Sequence, residues 1–342
     1  MKNRKIIVKH RDKKNAVTSN DVALCANVSQ STVSRVFSNS AKVRPETVNH
    51  VMEAVQKLGY RPNAIARSLT SRQTNIIAVV SVNFDNPFYQ TILIKISKMI
   101  AVMGKKMMLI QSAFDQPLED VLNQVIEYQV DGIVVFSAAL SANLVSDFSF
   151  VRFPLVIFNK HFDSRNFFSV CSDNIDAGTL IADHFVECGY TSFGFISGEK
   201  LSQTSEFRFK GFTARLKELG YNNCSTVPGN YTYTSGYEGL LAMKEKGPLP
   251  EAVFCVNDLM ALGAMDAARI KMGLRVPQDI AFAGFDNLEQ SGWESYGLTT
   301  VQQPLDEMVD YTENYLRQKI SNADTSGGYI LLKCKLIKRN ST

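Results

Sequence analysis

Seven short apolar runs, separated by stretches with helical periodicity, are the feature that most constrains how this chain can fold. The runs are IIAVVSV, KKMMLIQS, DGIVVFSA, FPLVIFN, SFGFISG, AVFCVND and DIAFAGFD. Short apolar runs that alternate with helical stretches such as LEDVLNQVIEYQ are typical of parallel strands that are buried on both faces. The pattern predicts a parallel α/β sheet, and because the series restarts at SFGFISG we expect a second, similar lobe.

The region before this series is helical instead. One side of the stretch VSQSTVSRVF is apolar at helical spacing and contains Val33, Val36 and Phe37. The opposite side is polar and contains Gln30, Ser31, Ser34 and Arg35. Upstream, TSNDVALCAN begins with Thr18 and Asp21, at a spacing close to that of a capping box. These features predict two short helices joined by a tight turn, the second of which packs with one face and presents the other.

The charge of the chain is divided unevenly. Residues 1–75 contain seven Lys, seven Arg and four acidic residues, a net charge of +10, which leaves −6 for the remainder of a chain whose total is +4. A basic segment can displace counterions from phosphates, whereas an acidic body repels nucleic acid. If the protein binds a polyanion, we expect the N-terminal segment to bind it.

Length and composition exclude several other classes of protein. With 342 residues, of which 45% are hydrophobic, the chain is long enough for a sizeable core and more than one domain. No apolar run reaches the roughly 18 to 20 residues that span a bilayer, and the N-terminal segment lacks a secretion signal, so we expect a cytoplasmic protein without a membrane partner. The six cysteines, at positions 25, 171, 188, 224, 255 and 334, form no C-x-x-C pair. We therefore expect reduced thiols, no metal and no cofactor.

The sequence pattern divides the chain into four segments. Residues 1–15 form a basic tail of composition typical of a disordered arm, which is either simply solvated or adds phosphate contacts. Residues 16–60 form the helical head, and residues 61–75 form a hinge that begins where Pro62 stops the last helical pattern. Residues 76–342 form the α/β body.

Six motifs, in order, resemble those of the lactose repressor family of bacterial transcription regulators. They are DVALCANVSQSTVSRVFSN, YRPNAIARSL, NPFY, AVFCVNDLMALGAM, VPQDIAFAGFDN and LIKRNST. The resemblance implies an all-α helix-turn-helix head plus a two-lobed α/β effector domain, similar to periplasmic sugar-binding proteins, with parallel sheets and three crossovers. It implies a first lobe of about residues 76–173 plus 304–329 and a second lobe of about residues 174–303 plus 330–342. It also implies a homodimer on a near-palindromic double-stranded DNA operator, with a small-molecule effector between the lobes.

In a helix-turn-helix, the N-terminal residues of the second helix meet base edges in the major groove. We therefore expect Gln30, Ser31 and Arg35 to contact bases, because Arg pairs with guanine and Gln with adenine. The residues expected to cap helices and to contact phosphates are Thr18, Ser29 and Thr32. Arg44 stands where family members often have a small hydroxyl residue, which predicts a weaker cap on the third helix or a phosphate contact.

The hinge resembles one that becomes helical when two copies meet in the minor groove. Leu69 matches the apolar wedge that opens a base step there. Asn63 and Arg67 are expected to contact DNA beside it. An ordinary linker with one incidental leucine is the alternative.

Open parallel sheets place ligand-binding groups just beyond the carboxyl ends of their strands. The polar residues that follow the apolar runs include Asp85, Asn86, Asn159, Asn257, Asp258, Asp286 and Asn287. The resemblance adds Phe88, Tyr89, Lys160, Arg208 and Tyr231. The residues that we expect to bind the effector are Asp85, Phe88, Asn159, Lys160, Arg208, Tyr231, Asn257 and Asp286, because carboxylates, amides and Arg pair with hydroxyls or carboxylates and aromatic faces cover sugar rings. Asp258 and Asp286 have an alternative role as caps of the segments that follow them.

One position in the sequence bears on the class of effector. The family's purine repressor has an aromatic residue where this chain has Lys160, which favours a sugar or sugar acid over a nucleobase or nucleoside. An enzyme is not expected, because the sequence contains no phosphate-binding loop, no G-x-S-x-G, no H-E-x-x-H and no G-x-G-x-x-G after a strand. We expect no catalytic residues. A sugar-binding protein without a regulatory role would have no use for the head. The sequence leaves open whether the effector releases DNA or promotes its binding.

Overall fold

The chain divides into two compact units, residues 1–74 and residues 75–342. The computed structural model describes residues 17–37, 43–61, 73–81, 86–111, 118–136, 153–200, 202–321 and 326–342. The predicted tail and most of the predicted hinge lie outside these ranges. None of the helices within them is long and apolar enough to cross a membrane.

The head is a three-helix unit around a small apolar core. Its helices are α1 (Ser19–Cys25), α2 (Gln30–Phe37) and α3 (Pro45–Leu58). The buried side chains of its core are Val22, Ala23, Val33, Val51 and Ala54. Arg44 precedes α3 and makes no side-chain capping bond, which confirms the weaker cap predicted there. α3 ends at Gly59, whose φ of 64° is a left-handed conformation that glycine adopts without strain.

The first two helices of the head are capped by hydroxyl residues. The Thr18 side chain accepts a hydrogen bond from the Asp21 amide, and the Asp21 carboxylate accepts one from the Thr18 amide at 2.8 Å. The Ser29 hydroxyl accepts from the Thr32 amide at 3.2 Å and so caps α2. Thr32 lies inside α2, where its hydroxyl bonds to that of Ser29 at 2.8 Å. The prediction that Thr32 itself caps a helix is therefore wrong, because Ser29 already occupies the cap position.

The second unit is the α/β effector domain. Its described strands are β1 (Ile76–Ser81), β2 (Lys106–Gln111), β3 (Gly132–Phe136), β4 (Leu155–Phe158), β5 (Phe168–Ser172), β6 (Phe193–Ile196), β7 (Cys224–Val227), β8 (Ala252–Cys255), β9 (Ala281–Phe285), β10 (Thr299–Gln302), β11 (Gly328–Leu332) and β12 (Lys335–Ile337). Its described α-helices are α4 (Pro87–Val102), α5 (Leu118–Glu127), α6 (Asn174–Glu187), α7 (Gln203–Glu218), α8 (Tyr233–Lys246), α9 (Asp258–Asp266) and α10 (Leu305–Ile320).

The strands form two six-stranded sheets, one in each lobe. The first sheet has the order β11-β5-β4-β3-β1-β2 and is parallel throughout. The second has the order β12-β10-β9-β8-β6-β7, in which only β12 runs antiparallel to its neighbour. All seven apolar runs of the sequence form strands, which confirms the predicted parallel α/β architecture with two similar lobes.

In the order of the described strands, the chain crosses between the two sheets three times. It leaves the first sheet after β5, returns after β10 to form α10 and β11, and crosses again to form β12. The predicted division placed the last crossing after Tyr329. That boundary was approximate: β11 pairs with β5 as far as Leu332 opposite Ser172, so the crossing falls at residues 333–334, a few residues later.

Two helices of the second lobe approach each other closely, and this contact positions the site described below. A Cβ atom at Gly178 of α6 would lie 2.4 Å from the carbonyl oxygen of Arg208 on α7. A Cβ atom at Gly211 of α7 would lie 2.0 Å from the carbonyl oxygen of Ile175. Only glycine permits these approaches. The same core contains the buried rings of Phe185 and Phe212 from the two helices and of Phe193, Phe195 and Phe254 from the strands.

Candidate DNA interface and effector cleft

The second helix of the head presents the polar face that the sequence predicts. Its exposed side chains include Gln30, Ser31, Ser34 and Arg35. Val33, on the opposite side, is buried in the core of the head. The side-chain amide of Gln30 donates to the Ser19 hydroxyl at 3.3 Å and so ties the start of α2 to α1. This is the arrangement in which a recognition helix can enter a groove with its N-terminal residues first.

Four predicted site residues lie outside the described residues. They are Asn63, Arg67 and Leu69 of the hinge and Asp85 of the effector domain. Their roles stay predictions.

Arg208 lies on α7 of the second lobe and is only 2% exposed. Its Nε donates to Asn174 Oδ1 at 2.9 Å, and its Nη1 donates to the Val256 carbonyl at 2.5 Å. The guanidinium lies 3.3 Å above the centre of the Phe285 ring. These contacts fix the plane of the group, so its other N–H donors have a defined direction.

Asp286 follows β9 and is buried next to Arg208. Its Oδ1 accepts from Gln303 Nε2 at 2.8 Å and lies 3.9 Å from Arg208 Nη2, too far for a direct hydrogen bond. Its φ of 115° is strained for a residue with a side chain. Burial raises the pKa of Asp286 to about 7 against the opposing effect of Arg208. A strained residue with a displaced pKa in a cleft is typical of a binding site.

Asn257 and Tyr231 are joined to each other. Asn257 Oδ1 accepts from the Met260 amide at 3.1 Å and so caps α9, while its Nδ2 donates to the Tyr231 carbonyl at 3.1 Å. The Tyr231 hydroxyl bonds to that of Ser202 at 2.5 Å, and its ring packs so closely that a Cβ at Gly198 would lie 2.3 Å from it. Asn257 therefore holds the loop that carries Tyr231.

Asp258 is not a helix cap, contrary to the alternative that the sequence left open. Asn257 holds that position, and the Asp258 carboxylate accepts three other hydrogen bonds. They come from the Leu288 amide at 2.8 Å, the Ser291 hydroxyl at 2.6 Å and the Thr300 hydroxyl at 2.5 Å. Asp258, at the start of α9, thus attaches the loop after β9 and the strand β10 to that helix.

Phe88 brings the first lobe to the same region. The side chain of Asn86 caps α4 by accepting from the Phe88 amide at 2.9 Å, and the Phe88 ring is buried. A cavity of about 470 Å³ lies where the chain crosses between the lobes. Residues of both lobes line it, among them Phe88, Lys95, Asp286, Gln303 and Lys333.

Asn159 and Lys160 lie directly after β4 of the first lobe. Asn159 is buried with a left-handed φ of 62°, and its Oδ1 has no hydrogen-bond partner in the described part of the chain. Burial lowers the pKa of Lys160, and the nearby Glu199 of the second lobe opposes that shift. Lys160 therefore faces an acidic group across the two lobes.

Within the second lobe, the structure thus places Arg208 and Asp286 3.9 Å apart and joins Tyr231 to Asn257 by a hydrogen bond. The sequence pattern does not predict Asn174, Gln303 or Phe285, although they hold Arg208 and Asp286 in place. Gln303 comes one residue after the end of β10, so the rule that found Asp286 would have found it had that strand been predicted.

Comparisons with known proteins agree with this architecture. Residues 18–63 match the family described as bacterial regulatory proteins, lacI family, and residues 182–342 match a periplasmic binding protein-like domain. The HTH-type transcriptional repressor PurR of Pasteurella multocida (strain Pm70) is 31% identical over 330 residues, which cover 95% of this chain and 98% of that protein. Catabolite control protein A of Priestia megaterium is also 31% identical, over 95% of this chain and 99% of that protein.

Solved structures show the same fold. The lac repressor dimer bound to operator and the anti-inducer ONPF superposes with a TM-score of 0.87 at 25% identity, covering 96% of this chain and 99% of that one. A complex of the transcriptional regulator CelR with cellobiose gives a TM-score of 0.71 at 27% identity, covering 95% and 100%.

A helix-turn-helix head joined to a two-lobed effector domain defines a DNA-binding transcriptional regulator that carries a small-molecule site. The chain belongs to the lacI family of bacterial regulatory proteins. Members of this family are regulators rather than enzymes, which confirms the expectation drawn from the missing catalytic motifs.

Proposed function

We propose that the protein is a repressor whose affinity for its operator is set by a sugar bound between the lobes. The observation that carries the proposal is the pair formed by Arg208 and Asp286, 3.9 Å apart. The Nη2 donors of Arg208 and the Oδ2 atom of Asp286 make no hydrogen bond within the described residues, so they are available to a hydroxyl-rich ligand. One sugar hydroxyl, or two adjacent hydroxyls, can accept a hydrogen bond from the Arg208 donor and donate one to the Asp286 acceptor.

The proposed interface with DNA is the exposed face of α2. Gln30, Ser31 and Arg35 would contact base edges of a half-site, while the exposed Thr18 and Ser29 lie at the helix starts where phosphates are commonly bound. Thr32 is proposed to support Ser29 there. From the hinge, Asn63 and Arg67 would contact the minor groove or phosphates, and Leu69 would insert between base pairs.

A homodimer would place two heads on a near-palindromic operator. Exposed apolar side chains on α4 and β2, including Ile94, Val102 and Leu109, offer a surface for a second copy in the first lobe. Ile270 and Trp293 do so in the second lobe. The lac repressor that this chain resembles was solved as a dimer on its operator.

The switch follows from the position of the site between two lobes. The two lobes can adopt more open and more closed arrangements. A sugar that binds to one of these arrangements more tightly than to the other shifts the population toward the arrangement that it prefers. In a dimer, a changed closure alters the spacing of the first lobes and therefore whether the two hinges can pair on DNA. Only the difference in affinity between the states provides the coupling free energy.

A nucleobase is the second candidate effector, since several of the similar relatives carry the name PurR. Lys160, where the family's purine repressor has an aromatic residue, favours the sugar. The two classes are separated by direct titration.

One experiment with two variants tests the proposed function. An operator is first selected from random DNA with the full chain, and its affinity is then measured with and without D-glucose, D-galactose, D-gluconate, D-glucuronate, cellobiose and hypoxanthine. We expect Asp286→Ala to keep operator binding and lose the response to the active sugar. We expect Leu69→Ala to bind the operator at least 10-fold more weakly and to keep sugar binding. A sugar response that survives in Asp286→Ala would remove this residue from the site, and a response to hypoxanthine alone would replace the sugar with a nucleobase.

A further inference from the structure

The motif LIKRNST, residues 336–342, begins in β12 and continues beyond it along the second lobe. Its Ser341 is fully buried, and the hydroxyl donates to the Phe282 carbonyl at 2.6 Å and accepts from the Thr299 amide at 2.8 Å. The amide of Ser341 donates to the Gly297 carbonyl at 3.0 Å, and its carbonyl accepts from the Phe282 amide at 2.9 Å. The segment after β12 is therefore fixed against β9 and the start of β10.

Arg339, in the same segment, extends its side chain to the loop that follows β9. Its Nη1 donates to the Leu298 carbonyl at 2.7 Å, and its Nη2 donates to Asn287 Oδ1 at 2.6 Å. A Cβ atom at Gly292 would lie 3.7 to 4.0 Å from three guanidinium atoms, so the group also packs against the backbone of that loop. Both acceptors are uncharged. The rigid fork of the guanidinium therefore serves to fix two groups relative to each other, which a lysine cannot do in the same way.

Asn287, which Arg339 holds, follows Asp286 in a strained turn. Asp286 has a φ of 115° and Asn287 a φ of 53°, values that residues with a side chain rarely adopt. Such conformations persist only where the surrounding structure enforces them. The Asp286 amide is held by the Val301 carbonyl at 2.8 Å, and the Asn287 side chain is held by Arg339. Loss of the Arg339 bond would leave the turn free to relax.

The same loop is held by Asp258, which bonds to the Leu288 amide and the Ser291 hydroxyl. Burial raises the pKa of Asp258, and the positive charge of Arg339 opposes that rise. Residues 286–288 line the cavity of about 470 Å³ at the crossings, whereas Arg339 is not among the lining residues. Arg339 therefore acts on the wall of the cavity from behind.

We propose that Arg339 is a positioning residue of the effector site: by holding Asn287, it keeps the Asp286 carboxylate beside Arg208. Arg339 thereby sets the affinity for an effector that it does not itself touch. This inference rests on the proposed function of Asp286. It gives the motif LIKRNST a role in effector binding in addition to its place in the second lobe.

Hydrogen–deuterium exchange of the unliganded full chain tests whether Arg339 holds the loop. In Arg339→Gln, we expect faster exchange in the peptide that contains residues 286–292 and unchanged exchange in β4 and α7. Arg275→Gln, which removes a guanidinium paired with Asp279 on the same lobe, is the matched control and should change neither. Unchanged exchange of residues 286–292 would overturn the inference. So would faster exchange throughout the second lobe, because Arg339 would then serve overall stability alone.

Isothermal titration of the full chain measures the consequence for affinity. The probes are D-glucose, D-galactose, D-gluconate, D-glucuronate, cellobiose and hypoxanthine. For the probe that binds most tightly, we expect Arg339→Gln to raise the Kd at least about 5-fold and Arg275→Gln to leave it unchanged. An unchanged Kd in Arg339→Gln would overturn the inference and leave the proposed function standing. If no probe binds the parent chain, the sugar effector is wrong, and the exchange rates still support or overturn the hold of Arg339 on the loop.

A double-mutant cycle separates the bond between Arg339 and Asn287 from a direct contact between Asn287 and the probe. Asn287→Gly removes the acceptor, and glycine adopts a φ of 53° without strain. If the bond carries the effect, the double variant Arg339→Gln/Asn287→Gly binds the probe no more weakly than the weaker of the two single variants. Fold-losses that multiply would show that the two residues act independently and would overturn the inference.

Discussion

The two walls of the cleft are built in opposite ways. On the second-lobe wall, Arg208, Asn257 and Asp258 are hydrogen-bonded to neighbours in their own lobe. On the first-lobe wall, Asn159 and His161 are buried with atoms that have no partner among the described residues. Ser81 Oγ, at the end of β1, is a third such atom. These second-lobe side chains are thus held by contacts within their own lobe, whereas the first-lobe wall carries buried polar atoms without a partner among the described residues.

Because of this difference, side chains on the two walls are expected to contribute differently to the stability of the fold and to the binding of a ligand. A polar side chain that is bonded within its lobe contributes to folding, and its removal leaves its partners unpaired. A polar side chain without a partner contributes nothing by hydrogen bonding until a ligand arrives. Substitutions on the second-lobe wall should therefore lower the free energy of unfolding, while those on the first-lobe wall should lower only affinity.

The largest effect is expected for Asp258→Ala. The substitution leaves the Leu288 amide and the Ser291 and Thr300 hydroxyls unpaired in a buried environment. We expect a loss of roughly 3 to 5 kcal/mol in the free energy of unfolding, measured by urea denaturation. Asp279→Ala, which removes an exposed ion pair with Arg275, is the matched control and should cost far less. Equal losses in the two variants would contradict the description of the second-lobe wall.

An intermediate effect is expected from the titration of Asp286. Its pKa is about 7 in the folded protein and about 3.9 in an unfolded chain, so folding takes up a proton between these values. Its contribution to stability is therefore fully present below pH 4 and is lost as the pH rises toward 7, by up to about 1.4 kcal/mol per pH unit. Urea denaturation from pH 5 to 8 should show this slope in the parent chain.

Asp286→Asn provides the control for that slope. Burial also raises the pKa of Asp258, so part of the pH dependence is shared by both proteins. The difference between the parent and Asp286→Asn isolates Asp286. Identical slopes would mean that Asp286 keeps its charge throughout this range and is not the group that changes near neutral pH.

The smallest effects come from a matched pair of serines. Ser291 donates to Asp258 at 2.6 Å, whereas Ser81 Oγ has no partner among the described residues, and both side chains are fully buried. We expect Ser291→Ala to lower the free energy of unfolding by about 1 to 3 kcal/mol and Ser81→Ala to leave it unchanged or slightly higher. The measurement is again urea denaturation without ligand. A loss in Ser81→Ala as large as that in Ser291→Ala would remove the contrast between the walls.

The strands that the sequence predicts well are mostly those inside the sheets. β1, β3, β4, β8 and β9 are buried on both faces and therefore appear as continuous apolar runs. The pattern misses β7 and β11, which lie at sheet edges with alternating or mixed exposure. It also misses β5 and β10, which lie beside edge strands and carry Ser or Thr. Burial on both faces favours a continuous apolar run, but Ser and Thr interrupt that run in the buried strands β5 and β10, whereas the exposed edge strand β2 is apolar enough to be recognised.

The site is predictable only in part for a related reason. The rule that ligand-binding groups follow the carboxyl ends of parallel strands locates Asn159, Asn257 and Asp286, because these ends share one edge of a sheet. It cannot tell that Asn257 is engaged as a helix cap. Nor does it predict Gln303, because β10 is not recognised as a strand from the sequence, or His161, which lies three residues beyond the end of β4.

The two strands that complete the sheets late in the chain have a consequence for how the protein is made. The edge strand β11 belongs to the first lobe and β12 to the second, although every other strand of either sheet precedes α10. During synthesis, neither sheet can therefore reach its final width until residues beyond 326 have left the ribosome. Contacts between segments so distant in sequence slow folding. Until β11 and β12 are in place, the strands that they pair with have exposed edges. Neither lobe can therefore finish folding before β11 and β12 have both been synthesised.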